Sequence, residues 1–174
     1  MRFFIAEKGE NMEIRYLTDN DDLMQVSSVY EQSWKTAYKG IIPQSYLDSI
    51  PEGRWAASIT RPGMNSLIAV DNGKIVGTSA FCASRWEKFP EYGEIVSVYL
   101  MPEYMRKGYG RALLERALSE INAMGFENTL LWVLEENVNA RRFYEHIGFM
   151  NSGEVMNDNI GGKELREIMY IKTA

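Results

Sequence analysis

The sequence predicts one α/β domain, a mixed, twisted sheet of about seven strands with helices on both faces. Three observations predict it. The chain has 174 residues, a length that suits one domain with a substantial core. Apolar residues make up 45% of it and charged residues 25%, the balance of a folded globular chain. The hydrophobic period also changes along the chain. Strands joined by tight turns come first, and strands alternating with amphipathic helices follow.

The elements follow in order. Glu13 to Leu17 alternates as a strand. Thr18 and Asp21 form a capping-box signature ahead of Leu23, Val26, Val29, Tyr30, Trp34 and Ala37 at helical spacing. Pro43 opens a short helix that Pro51 closes, and residues 54–59 add a turn. Ser66 to Val70 and Ile75 to Cys82 are strands around the tight turn Asp71-Asn72-Gly73-Lys74. Gly93 to Leu100 is a long strand. Leu113 to Met124 has one apolar helix face, with Gly125 as its C-cap. A strand at 129–134, a helix at 138–147 and strands at 149–156 and 165–171 complete the domain. The last two strands flank a turn-rich stretch, Asn157 to Gly162. Residues 1–11 read as a poorly ordered extension ahead of a domain at 12–174.

Composition narrows the function. The net charge is -5, which disfavours wholesale nucleic-acid binding. A single cysteine, Cys82, allows no intrachain disulfide and suits a reducing compartment. No stretch approaches a membrane span, and the N-terminus turns charged too early for a secretory signal, so a cytoplasmic protein is expected. No Cys/His/Asp cluster points to a metal. The lone histidine, His146, is expected on the surface.

The strongest chemical signal lies between strand and helix at Arg106-Lys107-Gly108-Tyr109-Gly110-Arg111. Glycines let a ligand approach the backbone, and the helix N-terminus behind them offers free N–H groups and a positive dipole end. Three cations surround this anion site, so a diphosphate is the natural guest. The spacing is neither a triphosphate P-loop nor a Rossmann fingerprint. Taken alone, the stretch could equally be an ordinary strand-to-helix turn.

A second motif follows one strand later, Asn-x-x-Ala-x-x-Phe-Tyr-x-x-x-Gly-Phe from Asn137 to Phe149. The two motifs together, in this order, resemble those of the GNAT acyltransferase superfamily, and the resemblance extends over residues 12–172. One departure is Met105, where the family prefers Gln or Arg.

The resemblance implies a GNAT-like fold, acetyl-CoA as cosubstrate, no metal, and a homodimer. It implies that the strand through Val98, Tyr99 and Leu100 splays from the one at 131–134, with pantetheine pairing to exposed main-chain groups in the gap. Arg106, Lys107, Gly108, Tyr109, Gly110 and Arg111 then hold the pyrophosphate, and the Asn137 amide bonds the pantetheine. Helix capping is the plainer reading of Asn137. Tyr144 is the implied general acid, because a phenol is protonated at neutral pH and can donate to a leaving thiolate. Glu94 is the candidate base, directly or through water. Simple alternation puts it on the same side as Val96, Val98 and Leu100. On the acceptor side the resemblance places Trp34 and Tyr38, with further aromatics at Tyr46, Trp55, Trp86, Phe89 and Tyr92.

The expected activity is direct acetyl transfer to a primary amine of a small molecule. The alternatives are acetylation of a protein N-terminus or lysine and, in another class, a non-catalytic acyl-CoA-binding sensor.

Overall fold

The structure, a computed structural model, describes residues 3–4 and 12–173. Eight strands form one sheet in the order β1-β2-β3-β4-β5-β6-β8-β7. They are β1 (Phe3–Phe4), β2 (Met12–Tyr16), β3 (Asn65–Asp71), β4 (Lys74–Ala83), β5 (Tyr92–Leu100), β6 (Asn128–Leu134), β7 (Met150–Ile160) and β8 (Lys163–Lys172). Among the described residues there are five α-helices, α1 (Leu23–Ala37), α2 (Gln44–Ser49), α3 (Ala56–Ile59), α4 (Tyr109–Ala123) and α5 (Val138–His146), and a short 3-10 turn at Pro102–Tyr104. Seven of the strands are those expected. The eighth, β1, lies in the N-terminal extension and pairs with Glu13 and Ile14, while the rest of residues 1–11 lies outside the described residues.

The two faces of the sheet carry different helices. On one, Leu113, Leu114, Ala117 and Ile121 of α4 pack on Leu67, Ala69, Ile95, Leu131 and Tyr170, with Ala140, Phe143 and Tyr144 of α5 alongside. On the other, Val26, Val29 and Tyr30 of α1 cover Ile68 and Ile75. Ile42 and Leu47 around α2 cover Leu134 and Leu165. Burial of these side chains contributes roughly 1.5–3 kcal/mol each before entropy is charged against it.

Three local expectations change. The N-cap of α1 is Asp22, which accepts from the Met24 N–H at 2.9 Å. Asp21 instead accepts from Thr18 N and Oγ1 and from both Arg15 guanidinium nitrogens. Of two adjacent carboxylates, the one facing Arg15 is drawn away from the helix end. The last hairpin is longer than expected, because residues 157–160 pair with residues 163–166 around Gly161 and Gly162. The third change is a bulge in β5. Phe81 pairs with Ile95 and Ala80 with Ser97, so Val96 is the extra residue.

Strands β5 and β6 run parallel but pair only at Tyr92↔Asn128, Gly93↔Thr129 and Glu94↔Leu130. Beyond these residues β5 stays bonded to β4 and β6 to β8. The facing edges of residues 95–100 and 131–134 have no partner strand among the described residues. The sheet is therefore split from Glu94 outward, and the split opens toward the N-terminus of α4.

Candidate active site

The loop that closes the split is shaped by two left-handed residues, Arg106 at φ 59° and Gly108 at φ 89°. Arg106 is a non-glycine residue in that region, which is uncommon and marks a specific turn. Gly108 is the N-cap of α4 and caps it through no side chain. A Cβ at Gly108 would meet nothing within 4 Å, so the backbone angle, not crowding, requires glycine there. At Gly110 a Cβ would make only ordinary contacts with Leu100 and Phe143. Packing alone therefore does not demand glycine at Gly110. Alternating backbone handedness at a helix N-terminus gathers N–H groups into an anion-binding concavity.

The cations around this concavity are exposed. Lys107 Nζ lies 5.6 Å from the centre of the Tyr104 ring, whose partner on the other side is Tyr109 at 5.8 Å. Arg111 is paired with Glu115 one turn on at 2.7 Å. Arg106 and Lys107 thus frame the loop, while Arg111 holds Glu115 through its Nε.

Asn137 is buried at 9% exposure. Its side-chain oxygen accepts from the Ala140 N–H at 3.2 Å, which makes it the N-cap of α5. The capping reading holds, and the amide nitrogen remains for a second contact. Val98 and Leu100 turn their side chains to the α4 face, while their main-chain groups border the split.

Tyr144 packs against Phe143 at 5.2 Å and Phe149 at 5.9 Å between ring centres. Burial, and then the neighbouring Tyr99 hydroxyl, push its phenol well above the usual tyrosine value. It is a donor over the whole working pH range. Tyr99 itself is raised by burial, against the opposing hydrogen bond of Tyr38. The Tyr38 and Tyr99 hydroxyls are 3.4 Å apart. Burial raises Tyr38 further, and the Tyr99, Tyr144 and Glu167 groups add to it. Three phenols, from the C-cap of α1, from β5 and from α5, therefore gather at the split.

Glu94 stands apart from this cluster. The bulge at Val96 reverses the alternation, so Glu94 does not share the face of Val98 and Leu100 as simple alternation predicts. Ile95, Val98 and Leu100 face α4, while Ser97 and Tyr99 reach Tyr30 of α1, and Glu94 belongs with the latter pair. Glu94 is 1% exposed. Its carboxylate accepts four hydrogen bonds, from the Arg85 main-chain N–H and both ends of its guanidinium at 3.0, 3.1 and 2.6 Å, and from Trp86 Nε1 at 3.3 Å. Those bonds anchor the loop of residues 84–91. Proton abstraction by Glu94 requires the Arg85 pair to open.

Trp34 and Tyr38 meet edge to face at 4.9 Å, and Trp34 also touches Trp55 at 5.3 Å. They pack over Leu134 and Leu165 on the face opposite α4. Trp86 lies 5.0 Å from Trp132, whose buried indole nitrogen has no hydrogen-bond partner among the described residues. His146 is exposed and bonds the Arg142 carbonyl at 2.6 Å. Cys82 is buried, its thiol pushed up to about 11 by burial and by Glu94 nearby.

Glu167 of β8 is the residue that sequence reading missed. It pairs with Leu134 on one side and Met156 on the other, on the same face as the Trp34–Tyr38 pair. Burial and then Asp158 hold its carboxyl above the usual range. Period-two spacing in Leu165-Arg166-Glu167-Ile168-Met169 sets a lone carboxylate among apolar neighbours and was the available signal.

Residues 26–149 match the acetyltransferase (GNAT) family. The chain belongs to that family. It is 32% identical over 155 residues to an uncharacterized N-acetyltransferase of Bacillus subtilis, covering 85% of this chain and 86% of the relative. It is 29% identical over 146 residues to a spermidine N(1)-acetyltransferase of Thermoplasma acidophilum, covering 80% of this chain and 88% of that one. Among solved structures, the fold is shared with the PaiA N-acetyltransferase of Thermoplasma acidophilum in complex with coenzyme A. The TM-score is 0.76 at 24% identity, over 94% of this chain and 99% of that one. The protein is a GNAT acyltransferase with a single-domain mixed α/β fold.

Proposed function

We propose that this GNAT acyltransferase moves an acetyl group from acetyl-CoA to the primary amine of a small molecule. The observation that carries the proposal is the split between β5 and β6, with unpaired main-chain edges along it, the loop of residues 105–110 at its mouth and the Tyr144 phenol against it. An extended pantetheine arm fits such a split as an added strand. A pyrophosphate fits the uncapped N-terminus of α4 beside Arg106 and Lys107. Bound there, acetyl-CoA supplies an activated thioester. Main-chain N–H groups near Val98 polarise its carbonyl, and Tyr144 donates a proton to the departing sulfur.

A small acceptor is favoured over a peptide by the way the opposite face is roofed. The tip of the β7–β8 hairpin is fastened over α2. A Cβ at Gly161 would come within 2.5 Å of Tyr46, and Lys163 donates to the Ile41 carbonyl at 2.8 Å while pairing with Glu136. Trp34, Trp55, Tyr30 and Tyr99 form a chain of ring contacts on the same side of the sheet. An aromatic wall braced by the hairpin suits a compact acceptor better than an extended peptide. The spermidine-acetylating relative is in keeping with an amine acceptor.

The test is CoA release from acetyl-CoA, followed with a thiol reagent against amino acids, polyamines, arylamines and short peptides. Release with one class of small amines and none with peptides is expected. Preference for peptides moves the protein to the N-terminal or lysine acetyltransferases. Tight acetyl-CoA binding with no release makes it a sensor module. The proposal includes a cytoplasmic homodimer, and light scattering of the purified chain tests its oligomeric part.

A further inference from the structure

Glu167 is a carboxylate on an apolar face with nothing to answer its charge. Its strand neighbours on that face are Leu165 and Met169, both buried, and its partner across the β6 ladder is Leu134, also buried. Among the described residues, no hydrogen bond or ion pair reaches its oxygens. The nearest cations of β8 are committed elsewhere: Lys163 to Glu136 and the Ile41 carbonyl, Arg166 on the other face to Glu135. Such a group costs stability unless a ligand brings the compensating charge.

Its position places that ligand at the reaction centre. Glu167 shares its face of the sheet with Trp34 and Tyr38, which pack on its neighbours Leu134 and Leu165, and the Tyr38 hydroxyl lies 3.4 Å from that of Tyr99. Tyr99 stands on the β5 edge that borders the split, and its hydroxyl adds to the upward shift of the Tyr144 phenol. An ammonium group seated against Glu167 would lie on the acceptor side of the split, beside the aromatic walls of Trp34 and Trp132, which suit a cation.

We propose that Glu167, rather than Glu94, binds the acceptor's ammonium group and takes its proton. This rests on the acetyl-transfer reading above and names the class of acceptor, an aliphatic amine that is cationic at neutral pH. The balance is simple. The ammonium gives one proton to the Glu167 carboxylate. The freed nitrogen lone pair forms a bond to the acyl carbon as the carbon–sulfur bond breaks, and the sulfur takes the Tyr144 proton. The nitrogen's second proton restores Tyr144, directly or through water, and Glu167 returns its own to solvent. Burial that raises the carboxyl also makes it a better base for this step.

The experiment compares wild type, Glu167→Gln and Glu94→Gln in the CoA-release assay. Two kinds of acceptor are used, spermidine with other alkylamines, and p-anisidine, an arylamine that is uncharged at neutral pH. Calorimetry measures acetyl-CoA binding. For Glu167→Gln, kcat/KM with the best alkylamine is expected to fall about 100-fold. With p-anisidine it stays within about threefold, acetyl-CoA affinity is unchanged, and the protein melts no lower than wild type. Glu94→Gln is expected to melt lower and to affect both acceptors alike. Full alkylamine activity in Glu167→Gln, or an equal loss with both acceptors, overturns the proposal. So does a selective alkylamine loss in Glu94→Gln instead. If wild type releases no CoA with any acceptor, acetyl transfer to amines fails first and this inference falls with it, an outcome distinct from inactivity confined to one variant.

Discussion

On the α4–α5 side of the split, most of what a ligand would meet is main chain: the edges of residues 95–100 and 131–134, and the turn through Arg106 and Gly108 into α4, with the Tyr144 phenol and the Arg106 and Lys107 cations added to them. On the α1–α2 side the groups are side chains drawn from four places: Tyr38 at the C-cap of α1, Tyr99 of β5, Trp132 of β6 and Glu167 of β8. A main-chain site depends on backbone angles and helix ends, which local sequence encodes. A side-chain site depends on which residues the sheet brings side by side. The first arrangement is suited to a cofactor common to many enzymes, and the second to an acceptor that differs from one to the next.

Changes on either side should therefore have separable effects. The largest is expected for Tyr144→Phe, which removes the proposed proton donor but keeps its packing on Phe143 and Phe149. It should lower kcat by roughly 100-fold or more with acetyl-CoA affinity unchanged. Equal kcat in steady-state assays removes Tyr144 from the chemistry.

Next is Arg85→Ala, which removes the two guanidinium bonds of the four that reach a carboxylate 1% exposed, and leaves the main-chain and Trp86 donors in place. Destabilisation of about 1–3 kcal/mol by denaturant unfolding is expected. A small further loss of activity would mark Glu94 as an anchor of its loop, whereas complete inactivity with normal stability would return it to the mechanism.

Gly108→Val forces a β-branched residue into a left-handed position that is otherwise spacious. Strain of about 1–2 kcal/mol should weaken acetyl-CoA binding roughly tenfold and leave the alkylamine KM alone.

The smallest effect tests Glu167 through stability. Its carboxyl is raised by burial and then by Asp158, so the folded chain holds that proton more tightly than the unfolded chain. The penalty is absent below the ordinary carboxyl value and develops as pH rises through the higher folded value. Glu167→Gln should leave the melting temperature unchanged in acid and raise it at neutral pH. An identical difference at both pH values contradicts a half-buried, unpaired charge.

The same contrast governs what could be read before the structure. The order of seven strands, the helix faces and both motif loops were legible, because each depends on residues close in sequence. The bulge at Val96 was not, since it is decided by the pairing of Ile95 and Ser97 with Phe81 and Ala80 on another strand. That one residue reversed the face of Glu94. The capping of α1 was misassigned because Arg15, six residues earlier, claims Asp21. The polar run from Asn157 to Ile160 looked like a loop but is held as strand by its partners in β8. Glu167 lay in plain view as a carboxylate among apolar residues, but its neighbours Tyr38 and Tyr99 come from far along the chain.

Backbone amide exchange, followed on the intact protein with and without acetyl-CoA, measures the division between the two sides most directly. Acetyl-CoA alone should slow exchange in residues 96–100 and 106–111 and leave α1 and the β7–β8 hairpin unchanged. Protection confined to α1 and that hairpin, with residues 106–111 exchanging as before, would contradict it.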